Sequence, residues 1–242
     1  MYMNLNTDFD NDYTVACELM SKNFSHEDLI SMLKNGNLQE KQFAAMRLDA
    51  VNNNIEREIL INSLTGCDGK IREAAALKIN QLLTANADSF IQNISSYGEV
   101  FAAASIDINA NICRLVIDSA SILKRNKHFS DVYLSRILKY IDEAYAAIDK
   151  FVFRDKKYVI NKQMFKLYWC LEALKHFVND IEPGTLLRIL ERASVEREYT
   201  IREKAAQILN LTDTDKYHLI REKLRNDENY YVRAALRTNR VN

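Results

Sequence analysis

The chain has 242 residues, of which 48% are hydrophobic, a share that excludes an intrinsically disordered protein. It contains five glycines and one proline, too few for the turns of a sheet protein, so the composition predicts an all-α fold. Lys plus Arg and Asp plus Glu number 33 each, so no net charge draws the protein toward nucleic acid or a membrane surface.

Local charge and the cysteines add two expectations. Residues 1–30 hold six acids and one base, whereas residues 114–175 hold 13 Lys or Arg against 7 Asp or Glu. The four cysteines lie at least 46 residues apart without a C-x-x-C pair, which indicates reduced thiols in a cytoplasmic protein. The acidic start and the absence of an apolar run of about 18 residues predict neither a signal peptide nor a membrane span.

The N-terminal part, residues 25–98, is predicted to form helical hairpins. Its expected helix starts are Ser25, Asn54 and Asp88, because Ser, Asn and Asp are favoured N-caps. Its expected helix ends are the glycines Gly36, Gly66 and Gly98.

The middle, residues 102–178, departs from this pattern. Two apolar stripes, in "SIDINANICRLVIDSASILKRNK" and "VYLSRILKYIDEAYAAIDKFVF", predict helices of about twenty residues. The first stripe is predicted to begin at Ile108. A third helix is predicted from "NKQMFKLYWCLEALKHFV", after a basic loop at residues 154–162.

The C-terminal part, residues 183–240, returns to hairpins, with helix starts at Pro183 and Asp213. Here "TIREKAAQIL" around Arg202 repeats "KIREAAALKI" around Arg72, with small or apolar residues at +3, +4 and +7 on one helix face. A step of 31 residues back from Arg72 reaches Lys41, followed at the same offsets by alanines and a leucine and then by Val51 at +10. The same step forward from Arg202 reaches Arg233.

Each of these arginines is assigned a structural role, because it can reach an acid or a helix-terminal carbonyl and so join one unit to the next. The acids that stand four to six residues before the arginines are Asp68, Glu198 and Asp227. A single hairpin cannot bury both its faces, so the hairpins must stack, which predicts an α-solenoid.

The motifs "DGKIREAAALKI", "REYTIREKAAQIL" and "DENYYVRAAL" resemble HEAT-like repeats of the short, phycobilisome lyase type, over about 37–84 and 183–240. The resemblance implies a right-handed superhelix of about six hairpins whose inner helices line a concave face. We expect a single domain over 1–242, with repeats at 25–98 and 183–240 and a divergent middle at 102–178.

Motifs for catalysis, cofactors and metals are not found. The sequence has no G-x-G-x-x-G, Walker A or G-x-S-x-G motif, and its four histidines are far apart. Di-iron HEAT-like enzymes need several His-Glu pairs, whereas this chain has only His26-Glu27. The calcium-like stretch "DFDNDY" lacks the required Gly and Glu. We therefore expect no cofactor and no metal, and we favour a non-catalytic protein without deciding the question of enzymatic activity; a bilin-lyase role is implied only by the repeat type.

The expected function is a scaffold or adaptor that binds a protein or peptide. Inner-helix positions off the packing face mix charged and apolar side chains, which suits such a partner better than a phosphate backbone. These positions are Phe43, Met46, Arg47, Leu77, Lys78, Glu172, Lys175, Lys204 and Gln207.

A nucleic-acid-binding function is the alternative. DNA glycosylases of the alkylation-repair kind use aromatic residues and an acid on a basic HEAT-like surface, which here would be Tyr168, Trp169 and Glu172 with Lys156 and Lys157. Core packing of Trp169 beside Phe165 would account for the same aromatic residues without a ligand.

Overall fold

A computed structural model describes residues 6–85, 87–91, 94–150, 157–212 and 215–237. Across these ranges the regular secondary structure is entirely helical, with fourteen α-helices and four 3₁₀ helices. The all-α prediction is confirmed. The internal contacts divide the chain into two compact units, Met1–Ser130 and Asp131–Asn242.

The first unit is a series of antiparallel helices. Its α-helices are α1 Asn6–Met20, α2 His26–Asn35, α3 Leu38–Arg47, α4 Asn54–Asn62, α5 Gly69–Ala85, α6 Ala87–Ile91, α7 Gly98–Ala104 and α8 Ala110–Leu123. Its 3₁₀ helices are Ser63–Thr65 and Ser95–Tyr97. The inner helix α5 packs between α3 and α8, while α2, α4 and α7 pack against their own inner partners.

The second unit repeats this arrangement. Its α-helices are α9 Lys127–Lys150, which begins four residues before the unit boundary, α10 Lys157–Leu174, α11 Pro183–Ala193, α12 Tyr199–Leu209, α13 His218–Arg225 and α14 Tyr230–Arg237. Its 3₁₀ helices are Lys175–Asp180 and Asp215–Tyr217. Helix α12 packs between α10 and α14, and the result in both units is a stack of helical hairpins, an α-solenoid fold.

The paired alanines lie where the inner helices meet. Ala44 and Ala45 on α3, and Ala205 and Ala206 on α12, have no exposed surface. Because alanine carries only a methyl group, the helix backbones can approach closely at these points. The small residues of the repeat are therefore core residues, as the sequence predicts.

The arginines of the repeat join consecutive hairpins. The Arg202 guanidinium donates to both carboxylate oxygens of Asp227, at 2.7 and 3.0 Å, and to the carbonyls of Glu196 and Arg197. The Arg72 guanidinium binds Asp107 in the same two-point manner, at 2.6 and 3.2 Å. Both arginines thus contact an acid of the following hairpin.

The partners of Arg72 and Arg202 differ from those expected, because each reaches the acid of the following hairpin, Asp107 or Asp227, rather than the acid that precedes it in sequence. Asp68 instead caps α5, where it accepts from the amides of Lys70 and Ile71. Asp227 serves Arg202, and Arg233 donates to the carbonyls of Asp227 and Glu228 at 2.6 and 2.8 Å. Glu198 occupies the N-cap position of α12 without a side-chain capping bond.

The turn before α8 is a repeat that the sequence analysis missed. The Asp107 carboxylate accepts from the Asn109 amide at 2.8 Å, as Asp227 does from Asn229 120 residues later. Cys113 stands where the other turn has Arg233, and its thiol donates to the Asp107 carbonyl at 3.0 Å. A cysteine in the arginine position hides this hairpin from a search for the motif.

Several predicted helix boundaries need correction. Ser25 caps α2 as expected, but α4 is capped by Asn53, whose side chain accepts from the Glu56 amide, rather than by Asn54. Gly36 ends α2 and Gly66 ends a 3₁₀ helix, both in extended backbone. Gly98 ends the 3₁₀ helix Ser95–Tyr97 and is also the first residue of α7.

The remaining boundaries are the end of α3 and the starts of α6 and α11. Asp88 lies in the first turn of the five-residue helix α6, and Val51 lies beyond the end of α3. Pro183 starts α11 as predicted, whereas Asp213 lies outside the described residues.

The middle helices also differ from their predicted lengths. Helix α8 has 14 residues and α9 has 24. Ile108 is 82% exposed and precedes α8, because the turn formed by Asp107 and Asn109 sets the start of the helix. The expected basic loop is helical from Lys157, since Ile160 is buried and extends the apolar stripe of α10 by a turn. Residues 154–156 lie outside the described residues.

Candidate partner-binding site

The structure divides the nine predicted partner-binding residues into three groups. Phe43, Met46 and Arg47 lie together on α3. Leu77 and Lys78 lie on α5 and do not line the pocket that the first group shares. The remaining four, Glu172, Lys175, Lys204 and Gln207, form a polar cluster at the packing of α10 on α12.

The first group lines an apolar groove between α1 and α3, which we call the α1–α3 groove. Its volume is about 470 Å³, and its lining residues are Tyr13, Ala16, Leu19, Met20, Leu38, Gln39, Gln42, Phe43, Met46, Arg47 and Lys70. Tyr13, Met20 and Met46 are 74%, 77% and 54% exposed, so large apolar side chains face solvent along the groove. An exposed apolar concentration of this kind marks an interaction site in soluble proteins.

The α1–α3 groove is bounded by positive charge. Arg47 and Lys70 line it, and within the described residues neither forms an ion pair. A second pocket of about 300 Å³ shares Phe43, Met46 and Arg47 with the groove and adds one cationic residue, Lys22, and one acidic residue, Asp49. Apolar side chains bordered by unpaired cations favour a partner with apolar anchors and carboxylates.

Phe43 is held in place from one side. Its ring meets the ring of Phe24 edge to face, with centroids 5.5 Å apart and an interplanar angle of 69°. Edge-to-face pairs are a favourable aromatic geometry, so the Phe24 ring helps to hold the Phe43 ring in position. A ring held in this way lowers the entropy cost of binding.

The second group departs from expectation at one position. Leu77 is 38% exposed, but Lys78 is only 8% exposed, although the helical frame placed it off the packing face. The reason is that α5 is packed on both sides, by α3 and α8. Burial lowers the pKa of Lys78 below the ordinary lysine value, while Asp49 acts in the opposite direction.

The third group satisfies its own charges. The Glu172 carboxylate accepts from Lys175 at 2.8 Å and from Lys204, and both ammonium groups also contact the Gln207 side-chain oxygen. Lys204 is 7% exposed, which again contradicts a position free of packing. The cluster therefore joins α10 to α12 and leaves little of itself for a partner.

The pKa values in this cluster follow from the pairing. Burial alone would raise the pKa of Glu172, but the two ammonium groups outweigh it and hold the pKa below its ordinary value. Burial alone would lower the pKa of Lys204, but Glu172 outweighs it and raises this pKa above its ordinary value. Both groups are thus charged in the folded protein at neutral pH.

The alternative nucleic-acid site has a different environment from the one expected. Trp169 is 5% exposed, in agreement with core packing, and Glu172 is bound by two lysines rather than free to stabilise a cationic sugar. The ammonium of Lys204 lies 4.5 Å from the ring centroid of Tyr168. Lys156 lies outside the described residues, as does the side chain of Lys157.

A cleft of about 410 Å³ next to these residues was not predicted. Its lining residues are Asn161, Met164, Phe165, Tyr168, Trp169, Glu198 and Thr200. The spacing of Phe165 and Trp169, four residues apart on one helix, is the only sequence signal for it. The contribution of α12 cannot be read from sequence, because it depends on how α10 and α12 pack.

No cluster of three or more His, Cys, Asp or Glu side chains that could hold a metal ion is present in the described ranges. Within the same ranges, no helix combines the length and the apolar character needed to cross a bilayer.

The comparisons with known proteins return structural likeness only. No model of a known protein family matches the chain, and no curated protein matches it. An engineered protein of known crystal structure is 13% identical with a TM-score of 0.45, and the match covers 88% of this chain and 93% of that protein. A designed armadillo repeat protein is 13% identical with a TM-score of 0.41, covering 88% of this chain and 99% of that one. Neither likeness bears on function.

Proposed function

We propose that this protein is a non-catalytic, HEAT-like interaction module of the cytoplasm that binds a peptide segment of a partner protein in the α1–α3 groove. The observation that carries the proposal is the groove itself. It brings together Phe43, Met46 and Arg47, predicted as binding residues from the repeat frame alone, with the exposed side chains of α1.

The chemistry of the groove describes its ligand. Exposed Met20 and Met46 offer flexible apolar surface, which adapts to partners of different shape. Arg47 and Lys70 offer cations, so the bound segment carries carboxylates next to its apolar anchors. The predicted involvement of Leu77, on α5, is a further part of this proposal.

A peptide selection tests the proposal. The full chain is immobilised and used to select binders from a random peptide library, and the affinities of the selected sequences are measured by calorimetry. We expect apolar peptides rich in Asp and Glu. We expect Met46→Glu to weaken their binding by at least about tenfold, because it places a carboxylate in an apolar contact opposite an acidic ligand.

Val195→Glu is the matched control, because Val195 is 58% exposed, belongs to the second unit and does not line the groove. It receives the same new charge and is expected to leave binding unchanged. Equal loss of binding in both variants, or none in Met46→Glu, would remove the groove from the proposal.

Salt dependence separates this function from nucleic-acid binding. A protein that neutralises several phosphates loses affinity for single-stranded or duplex DNA steeply as salt rises. The pairing of Glu172 with two lysines disfavours a glycosylase, so we expect no saturable DNA binding at 150 mM salt, a concentration of about physiological ionic strength.

A further inference from the structure

The cleft beside α10 has aromatic walls. Phe165 and Trp169 meet with ring centroids 6.1 Å apart at an interplanar angle of 70°, and Tyr168 meets Trp169 at 5.1 Å and 86°. Because neighbouring rings are nearly perpendicular, the cleft is bordered by both ring faces and ring edges. Phe165 is 37% exposed, so part of this wall is open to solvent.

Among the described residues that line the cleft, a single one is charged. Glu198 stands at its rim, at the start of α12, where its carboxylate makes no capping bond to the helix. In the described part of the chain Glu198 forms no ion pair, and the nearby guanidinium of Arg202 is already bound by Asp227. The carboxylate is therefore available to a ligand.

Two lysines near the cleft, Lys204 and Lys175, are already paired with Glu172. Lys204, whose ammonium lies over the Tyr168 ring, is bound to Glu172. Lys175 shares the same carboxylate and is partly exposed to solvent, which screens its charge. The described residues that line the cleft are thus aromatic, apolar, neutral polar or negative.

We propose that this cleft binds an alkylated ammonium group, held against the ring of Phe165 and the edge of Trp169, with Glu198 as its counter-ion. Aromatic faces attract organic cations through the negative charge of their π-system, and the free-energy cost of desolvating a methylated ammonium group is low. The group can come from a free quaternary ammonium compound or from a methylated lysine of a partner protein. This site lies in the second unit and is independent of the α1–α3 groove.

The chain carries its own reporter for this site, since Trp169 is its only tryptophan. Choline and the neutral alcohol of the same shape, 3,3-dimethylbutan-1-ol, are titrated against the full chain while tryptophan fluorescence is recorded. We expect a saturable change with choline and at least about tenfold weaker binding of the alcohol, because only choline has the charge. An equal response to both, or no saturable response to choline, overturns the proposal.

Two short peptides identify the source of the group. One carries trimethyl-lysine and the other unmodified lysine. Tighter binding of the trimethyl-lysine peptide than of choline identifies a modified protein as the ligand, whereas equal affinities identify the free headgroup; both results support the cation site. Preference for the unmodified lysine peptide over both would overturn it.

Variants locate the charge. Glu198→Gln should weaken choline binding about fivefold, and Phe165→Leu by a similar factor, because each removes one attraction to the cation. Glu191→Gln on α11 is the matched control, since Glu191 is an exposed carboxylate outside the cleft. Thermal melts show that each variant is folded. Equal effects of Glu198→Gln and Glu191→Gln would contradict the assignment.

Discussion

At the scale of single residues, the arginine–aspartate pairs explain why the repeat preserves its arginine. The side chains of Arg202 and Asp227 are 10% and 8% exposed, so the pair is removed from most of the surrounding water. Two parallel hydrogen bonds and two carbonyl contacts satisfy the guanidinium there. A buried charge that loses its partner strongly destabilises the folded protein. The fold therefore needs both the arginine and the aspartate.

Arg202→Ala should therefore lower the free energy of unfolding by about 3 kcal/mol, since it leaves Asp227 without its counter-ion. Arg188→Ala is the control, because Arg188 and Asp142 form an ion pair that is 59% and 53% exposed. Its loss should cost less than about 1 kcal/mol. Urea unfolding of both variants makes the comparison, and similar losses would show that Arg202 is not a structural residue.

The same pair predicts a pH dependence. Burial alone would raise the pKa of Asp227, but Arg202 and the Asn229 amide outweigh it and hold the pKa below its ordinary value. A lowered folded-state pKa contributes stability above the unfolded pKa, about 3.9, and this stability is lost as pH falls through the folded value. The difference in urea midpoint between the natural protein and Asp227→Asn should be full at pH 7 and shrink below about pH 4. A difference that stays constant down to pH 2 would contradict this.

At the scale of the elements, the α10–α12 junction depends on the charge cluster around Glu172. Lys204 is nearly buried there, and its ammonium is matched by Glu172 and supported by Gln207. Inner helices elsewhere meet through alanines, so this junction replaces close packing by a polar network. Such a network stabilises only while every member has its partner.

Glu172→Ala should destabilise the protein by about 2 kcal/mol, because it leaves the Lys204 ammonium buried without a counter-ion. Adding Lys204→Met should restore most of this loss, since methionine fills the same space without charge. Thermal and urea unfolding of the two single variants and the double variant measure the coupling. Additive losses would mean that the two side chains do not depend on each other.

At the scale of the whole molecule, periodicity and small-residue spacing were enough to predict an all-α stack of hairpins. The alanine pairs and the arginines identified the inner helices α3, α5, α12 and α14 directly. Helix α8 was not identified as a repeat helix because Cys113 replaces the arginine, although Asp107 and Asn109 preserve the turn. Such substitutions keep the hydrogen bonds of the turn but change the amino-acid type, so a motif search does not find them.

The candidate sites were predictable only in part, because a helical frame tells which residues share a face but not what packs on it. The frame placed Phe43, Met46 and Arg47 on one face of α3, and the three line one groove. Lys78 and Lys204 failed because inner helices have neighbours on two sides. The α1 wall of the groove and Glu198 in the cleft depend on tertiary packing, which no local pattern reveals.

The binding of a peptide in the α1–α3 groove is tested most directly by amide hydrogen exchange. Exchange is followed by mass spectrometry over the full chain, with and without a saturating selected peptide. We predict slower exchange in α1 and α3, where a ligand would cover the backbone and fix the exposed methionines. Slower exchange confined to α10 and α12, or no change in α1 and α3, would contradict the assignment of the groove.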